Sequence, residues 1–271
     1  MDEFNLGFIG AGQMATALAA GIARAGIVSR ERIWASDPNR DARQRFESEL
    51  PGVHIEVDNR QVASCCQVLV LAVKPQYVDA VVAQLSETVG PDHLVISICA
   101  GVRLERIADG LPADVRLIRV MPNTPCLVGE GASGYALGPG ATEPDGQLAE
   151  ALLASVGKAF RLEEHLLDVV TGLSGSGPAF IYLLIEALSD GGVLMGLPRS
   201  VAAALAAQTV RGAATMVLET GEHPALLRDR VTSPGGTTAA GLDTLEQHAV
   251  RSAMIQAVQS ATFKSMELGT A

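Results

Sequence analysis

The chain has 271 residues, 48% of them hydrophobic and 18% charged. At about 100–200 residues per domain, that length predicts two domains with a sizeable buried core. The formal net charge of −10 excludes nucleic acid or an acidic membrane surface as the main partner, so an anionic ligand has to be met by a local positive field at helix ends.

The start, MDEFNLGFIG, is acidic and runs straight into a strand, unlike a signal peptide. NLGFIG is the first predicted strand, followed by a helix from about Gln13 to Arg24. RIWASD (32–37) is a second strand, and QVLVLAV (67–73) and HLVISIC (93–99) are continuous apolar runs of the kind buried parallel strands show. QYVDAVVAQLSETV between them has helical spacing, and RLIRVM (116–121) follows as another strand. GASGYALG and KAFRL are a further strand pair flanking the helix TEPDGQLAEALLASVG. This alternation predicts an α/β fold: an N-terminal Rossmann-type, doubly wound sheet over residues 1–162.

From residue 163 to 271 no convincing strand remains, which predicts an all-helical domain. GPAFIYLLIEALSDGGVLMGL carries Ile181, Leu184, Ile185 and Leu188 on one face, with Pro178 suited to a first helical turn. Its apolar core, PAFIYLLIEAL, is cut by Glu186 and reads as too short to span a bilayer. RSVAAALAAQTVRGAATMVLE is rich in small residues, which offer little large apolar surface, so this domain is expected to need a partner chain to complete its core. HAVRSAMIQAVQSATFKSMEL closes the chain as an amphipathic helix. Four cysteines, Cys65, Cys66, Cys99 and Cys126, form no C-x-x-C pair. Reduced thiols in a cytoplasmic protein are the expectation, and no residue is assigned to a metal.

Two stretches carry candidate chemistry. In GFIGAGQMA, Gly10, Gly12 and Ala15 give G-x-G-x-x-A between a strand and a helix. The first glycine permits the tight turn, the second admits a pyrophosphate, and the small third residue lets helix pack on strand. The second strand ends ASDP: Asp37 favours the ribose hydroxyls of NAD, whereas Ser36, Asn39, Arg40 and Asn59 favour NADP. LAVKP ends a buried strand with Lys74, placed to meet cofactor phosphate or ribose; CAG (99–101) and MPNTP (121–125) end the next two strands. The other stretch is VTSPGGTTAAGLDTLE (231–246), which reads as a helix N-terminus with bare amide N–H groups and hydroxyls. Such a place holds an anion, here a carboxylate, without an arginine.

GFIGAGQMA, LAVKP, VMPNTP, TGLSGSGPAF, ETGEHP and VTSPGGTTAAGLDTLE occur in this order. Together they resemble the Δ1-pyrroline-5-carboxylate reductase family over essentially the whole chain. The resemblance implies a Rossmann domain joined to a helical domain that interlocks into a homodimer, often assembled into decamers. It also implies a substrate site between one subunit's cofactor domain and helices contributed by the dimer. Gly10, Ala11, Gly12, Gln13, Met14, Val73, Lys74 and Ala100 are the cofactor contacts it implies; Ile9, Ser36, Asp37, Asn59, Pro75, Gly101 and Asn123, at or near the same strand ends, are expected beside them. Ser233, Gly235, Gly236 and Thr237 look like the carboxylate cradle, Thr238 like the hydroxyl that reaches the ring nitrogen, and Glu164 like a further substrate-lining residue. NADPH is the implied cofactor, with NADH as an alternative, since many members carry a smaller polar residue where this chain has Asp37.

The absences agree with that reading. An alcohol dehydrogenase needs a strong acid/base, yet His54, His93, His223 and His248 read as loop or surface residues and His165 as part of a solvated helix start beside Glu163 and Glu164. A β-hydroxyacid or ketoacid dehydrogenase would want a lysine after the Gly-Ser-Gly turn, and none occurs from Ala159 to Phe263. A cyclic imine carries its own basic nitrogen and needs mainly to be held in place. A third reading is a dimer that senses NAD(P)H without turnover.

Overall fold

The computed structural model describes residues 4–269. Eight strands form one sheet: β1 (Leu6–Ile9), β2 (Ile33–Ser36), β3 (His54–Glu56), β4 (Val68–Leu71), β5 (Leu94–Ser97), β6 (Arg116–Met121), β7 (Gly131–Leu137) and β8 (Gly157–Arg161). Their spatial order is β3-β2-β1-β4-β5-β6-β7-β8. Every neighbouring pair is parallel except β6 with β7. The helices are α1 (Gln13–Arg24), α2 (Arg40–Glu49), α3 (Asn59–Cys65), α4 (Val78–Leu85), α5 (Leu104–Ala108), α6 (Glu143–Ala154), α7 (Leu167–Val170), α8 (Gly177–Leu194), α9 (Arg199–Thr220), α10 (Pro224–Arg230), α11 (Thr237–Gln247) and α12 (Val250–Leu268).

Both faces of the central strands are covered, which is why they read as unbroken apolar runs. Phe8, Val70, Ile96 and Ile118 join Leu18 and Ile22 of α1, Phe46 of α2 and Leu152 of α6 in one core layer. The alternate residues Ile9, Leu69, Leu71, Val95 and Leu117 join Val62, Val78, Leu85 and Ile107 from α3, α4 and α5 in the other. The doubly wound sheet expected from the sequence is therefore present, with its order reversing between β1 and β4. β3 escaped the sequence reading because it is three residues long, and none of them is fully buried. Pairing with β2 and stacking of the His54 ring on Trp34, 4.1 Å between centroids, define it instead of an apolar run.

The chain divides into two compact units, one running up to Ser176 and regained from Ser260 onward, the other Gly177–Gln259. The sequence placed a domain boundary at 162/163. The segment after it instead packs on the sheet unit: Leu167 is fully buried, and a Cβ on Gly134 of β7 would lie 2.9 Å from Val170. A π-helical turn at Thr171–Gly175, where the Ser176 amide bonds the Thr171 carbonyl, follows before α8.

Helical structure is thus continuous over Glu164–Leu194, 31 residues. This corrects the expectation that the run is too short: it and Arg199–Thr220 are long and apolar enough to cross a membrane by length and composition. Their apolar surface has another outlet. Among the described residues of Gly177–Gln259, only Ser189, Ala202 and Ala206 are buried. Leu183, Leu188, Leu205 and Met216 are each at least half exposed. Helices α8 and α9 meet through small residues, with a Cβ on Gly192 falling 3.2 Å from that of Ala202, and that close approach turns the large side chains outward.

One polar network lies inside the sheet unit. Arg119 of β6, with 4% of its side chain exposed, donates to Glu164 Oε1 at 3.1 Å and stands 3.8 Å from Asp168 Oδ1. Ser265 of α12 donates to the same Asp168 oxygen at 2.7 Å. A buried guanidinium thus ties two carboxylates to the strand, and through them the last helix. Breaking such a pair strands a buried charge. Arg119→Met is expected to lower unfolding stability by about 3 kcal/mol and Ser265→Ala by about 1 kcal/mol, read as urea-midpoint shifts at constant m.

Candidate functional site

The carboxyl ends of β1, β2 and β4 open on a cleft of about 560 Å³. Gly10, Gly12, Ser36, Asp37, Asn59, Val73 and Lys74, all expected at a cofactor site, line it together. Gly10 has φ +103°, and a Cβ there would sit 2.7 Å from the Ala72 carbonyl oxygen, so the turn admits glycine alone. Gly12 is the N-cap of α1; no side chain caps it, and a Cβ on it would meet nothing within 4 Å. The first turn of α1 therefore presents amide N–H groups to open space, which is what an incoming phosphate needs. Ala15, 1% exposed, lets α1 lie close on the sheet.

The turn is braced from β2. Asp37 Oδ2 accepts from the Ala11 amide at 3.0 Å, and Oδ1 accepts from the Asn39 amide at 2.8 Å. Arg43 of α2 donates to the carbonyls of Asp37 and Pro38 at 2.6 and 3.1 Å. Ser36 Oγ donates to Asn59 Oδ1, and Asn59 Nδ2 to Gln84 Oε1, each at 2.8 Å. Arg43 and Gln84 were not singled out from the sequence. Arg43 follows the α2 N-cap Asn39 by four residues and was legible as a first-turn cation. Gln84 stands on α4 with no motif around it, and only the topology brings it to the cleft.

The other expected cofactor residues lie outside that lining. Ile9 and Ala11 are buried, Gln13 and Met14 begin α1, and Pro75 opens the 3₁₀ turn Pro75–Tyr77. Ala100 and Gly101 follow β5. Asn123, after β6, spends its side chain on the fold: Oδ1 accepts from the Ala132 amide at 2.9 Å and Nδ2 donates to the Ser174 carbonyl at 3.0 Å. Burial pushes the Cys99 thiol up to about 11, so it stays protonated and donates to the carbonyls of Leu71 and Val73 at 3.4 and 3.2 Å. Among the described residues, no group of three or more His, Cys, Asp or Glu side chains is arranged to hold a metal.

A second bare helix start lies in the helical unit. The Gly236 amide bonds the Ser233 carbonyl at 3.0 Å, closing a turn whose third residue, Gly235, has φ +65°. A Cβ on Gly236 would lie 2.3 Å from Ser233 Oγ and 3.1 Å from the Ser233 carbonyl oxygen, so a side chain there would have to turn the Ser233 hydroxyl away. Gly236 is the N-cap of α11 and no side chain caps it; Thr237 and Thr238 occupy the first two helical positions. Ser233, Gly235, Gly236, Thr237 and Thr238 are thus gathered on one helix end, with the dipole's positive end facing outward. Glu164 is engaged elsewhere: besides Arg119, its Oε1 accepts from the Leu104 amide at 2.7 Å, at the start of α5.

The two cleft glycines separate fold from binding. Gly12→Ala is expected to melt within about 2 °C of wild type, while weakening titrated NADPH by about tenfold or more, because the methyl occupies the phosphate's place. Gly10→Ala should lower stability by about 1–3 kcal/mol, seen by calorimetry before any ligand is added.

Comparison with known proteins bears on what fills these places. A family model described as "Pyrroline-5-carboxylate reductase dimerisation" matches residues 164–268, and one described as "NADP oxidoreductase coenzyme F420-dependent" matches residues 5–101. A pyrroline-5-carboxylate reductase of Arabidopsis thaliana is 47% identical over 98% of this chain and 96% of its own length. One of Methanosarcina acetivorans is also 47% identical, over 99% of each chain. Among solved structures, the Plasmodium falciparum pyrroline carboxylate reductase with NADP bound superposes with a TM-score of 0.88 at 34% identity, covering 99% of each chain. The pyrroline-5-carboxylate reductase of Coxiella burnetii does so at 0.92 and 37%, covering 98% of this chain and 99% of that one. With such identity sustained from end to end, and with both glycine turns intact, the chain belongs to the pyrroline-5-carboxylate reductase family.

Proposed function

We propose that this protein reduces 1-pyrroline-5-carboxylate to L-proline with NADPH, the last step of proline biosynthesis. The observation that carries the reading is the uncapped start of α11 behind the Ser233–Gly236 turn, in a chain 47% identical to named reductases over nearly its full length. Carboxylate recognition falls to the amides of this turn and helix start, each charge-assisted bond contributing about 1.5–3 kcal/mol. Thr238, one residue into the helix, offers its hydroxyl to the ring nitrogen.

The residues of the cleft fit a dinucleotide phosphate: Gly12 leaves room, α1 is uncapped, and Lys74 lines the wall. Gly10 to Met14 would hold the pyrophosphate, and Ser36, Asn59 and Lys74 the ribose end. When bound, NADPH supplies a hydride to the imine carbon. The protein's own task is to hold the ring by its carboxylate, orient its nitrogen and keep a proton there. The protonated imine is already electrophilic, so no histidine or lysine has to act as a strong acid. Thr238→Ala is expected to lower kcat/KM by about 10–100-fold with NADPH affinity unchanged.

Asp37 bears on cofactor choice. Both its oxygens already accept backbone amides, which makes it a brace for the glycine turn more than a ribose ligand and favours NADPH as the cofactor. Its charge still opposes a 2′-phosphate, which leaves NADH as an alternative. Asp37→Ser is accordingly expected to raise the NADPH-to-NADH ratio of kcat/KM by about tenfold.

The open apolar sides of α8 and α9 call for a second copy, so the working form is a homodimer, with a decamer as the further assembly, in the cytoplasm. The absence of lysine between Ala159 and Phe263 disfavours a hydroxyacid dehydrogenase. The deciding experiment mixes the purified protein with NADPH and pyrroline-5-carboxylate and monitors absorbance at the reduced nicotinamide band. Turnover to proline is expected. Saturable binding without consumption would instead mark a nucleotide sensor.

A further inference from the structure

We infer that the ion pair between Glu222 and Arg230 is a positioning element for the carboxylate-binding turn 233–236, an inference that rests on the function proposed above. Helix α9 is closed by its C-cap Gly221, at φ +64°. The next amide, that of Glu222, donates to Thr220 Oγ1 at 3.2 Å, and that hydroxyl donates to the Met216 carbonyl at 2.7 Å. Helix α10 then begins at Pro224 with His223 as its cap, Nδ1 accepting from the Ala225 amide at 3.2 Å.

At the other end of α10, Arg230 reaches back eight residues. Its Nη1 donates to Glu222 Oε1 at 3.0 Å and lies 2.7 Å from Oε2. Oε2 is buried from solvent and has no hydrogen bond of its own, so the neighbouring guanidinium is what offsets its charge. The pair therefore closes the far end of α10 onto the exit of α9.

The backbone after Arg230 has little freedom. The amides of Val231 and Thr232 bond the carbonyls of Arg228 and Asp229 at 3.2 and 3.1 Å, and Thr232 Oγ1 bonds the Arg228 carbonyl at 2.7 Å. Ser233 comes next and accepts from Gly236. The position of α10 is thus passed on to the turn almost rigidly. Within one chain α10 buries none of its seven residues, and seven residues are too few to hold a helix on their own. The ion pair is the contact that spans it from end to end.

The test separates position from field. Glu222→Gln removes a negative charge. If the pair acted only through its field, KM for the anionic substrate would fall. As a positioning element, its loss raises KM for pyrroline-5-carboxylate by about fivefold while kcat and KM for NADPH stay within about twofold. Arg230→Gln is expected to raise KM likewise, and the double variant Glu222→Arg with Arg230→Glu to bring it back toward wild type. Melting temperatures of the single variants, both at partly exposed sites, should move by only a few degrees and report that the chains are folded. An unchanged or lowered KM in folded Glu222→Gln overturns the inference alone. A wild type without turnover overturns the functional reading, and the inference with it.

Discussion

An α-helix begins with four amide N–H groups that have no partner inside the helix. Most proteins spend a serine, threonine or aspartate on them. This chain does so at α2 and α3, where Asn39 and Asp58 accept from the amides just beyond them, but leaves α1 and α11 bare behind glycine N-caps. Bare amides are costly unless water or an anion meets them, and a protein of net charge −10 has no broad basic surface to gather anions. The two glycine turns are therefore the places where this fold leaves amides open to an anion. Each keeps side chains out of the way: the space before Gly12 is open, and Gly235 takes the left-handed φ of +65° that the second turn requires.

The supports around these turns are polar and local. Asp37 holds the first turn through the Ala11 amide, with Arg43 fixing the backbone beside it. Around the second, the short helix α10 is pinned at both ends, by His223 on one side and the Glu222–Arg230 pair on the other. Deeper in the sheet unit, Arg119 gathers Glu164 and Asp168. That placement gives Glu164 a structural task beside the substrate contact that the family resemblance implies.

The helical unit obeys a different logic. Alanines and glycines bring α8 and α9 close together, and the leucines and methionines that would form a core point outward. The family model spanning residues 164–268 carries dimerisation in its description, which accounts for an apolar surface that a single chain leaves open. The same surface explains why the two long helices meet a membrane span's criteria of length and composition: an interface between protein chains and a surface toward lipid look alike when only apolarity is counted.

Much of this was readable from the residues in order. The strand runs, the start and end of α1, the helix beginning after Gly236 and the G-x-G-x-x-A turn all depend on local patterns, and local patterns survive in a linear string. β3 did not, because three partly exposed residues carry no periodic signal and become a strand only by pairing with β2. Nor did the end of the sheet unit, which runs on past Leu162 because Leu167 and Val170 pack against β7. The tertiary structure alone decided which distant groups meet: Asp37 with the Ala11 amide, Gln84 with Asn59, Arg119 with two carboxylates. Such pairings depend on how far apart the folded backbone sets two atoms, and side chains tens of residues apart leave no mark of that distance in the sequence.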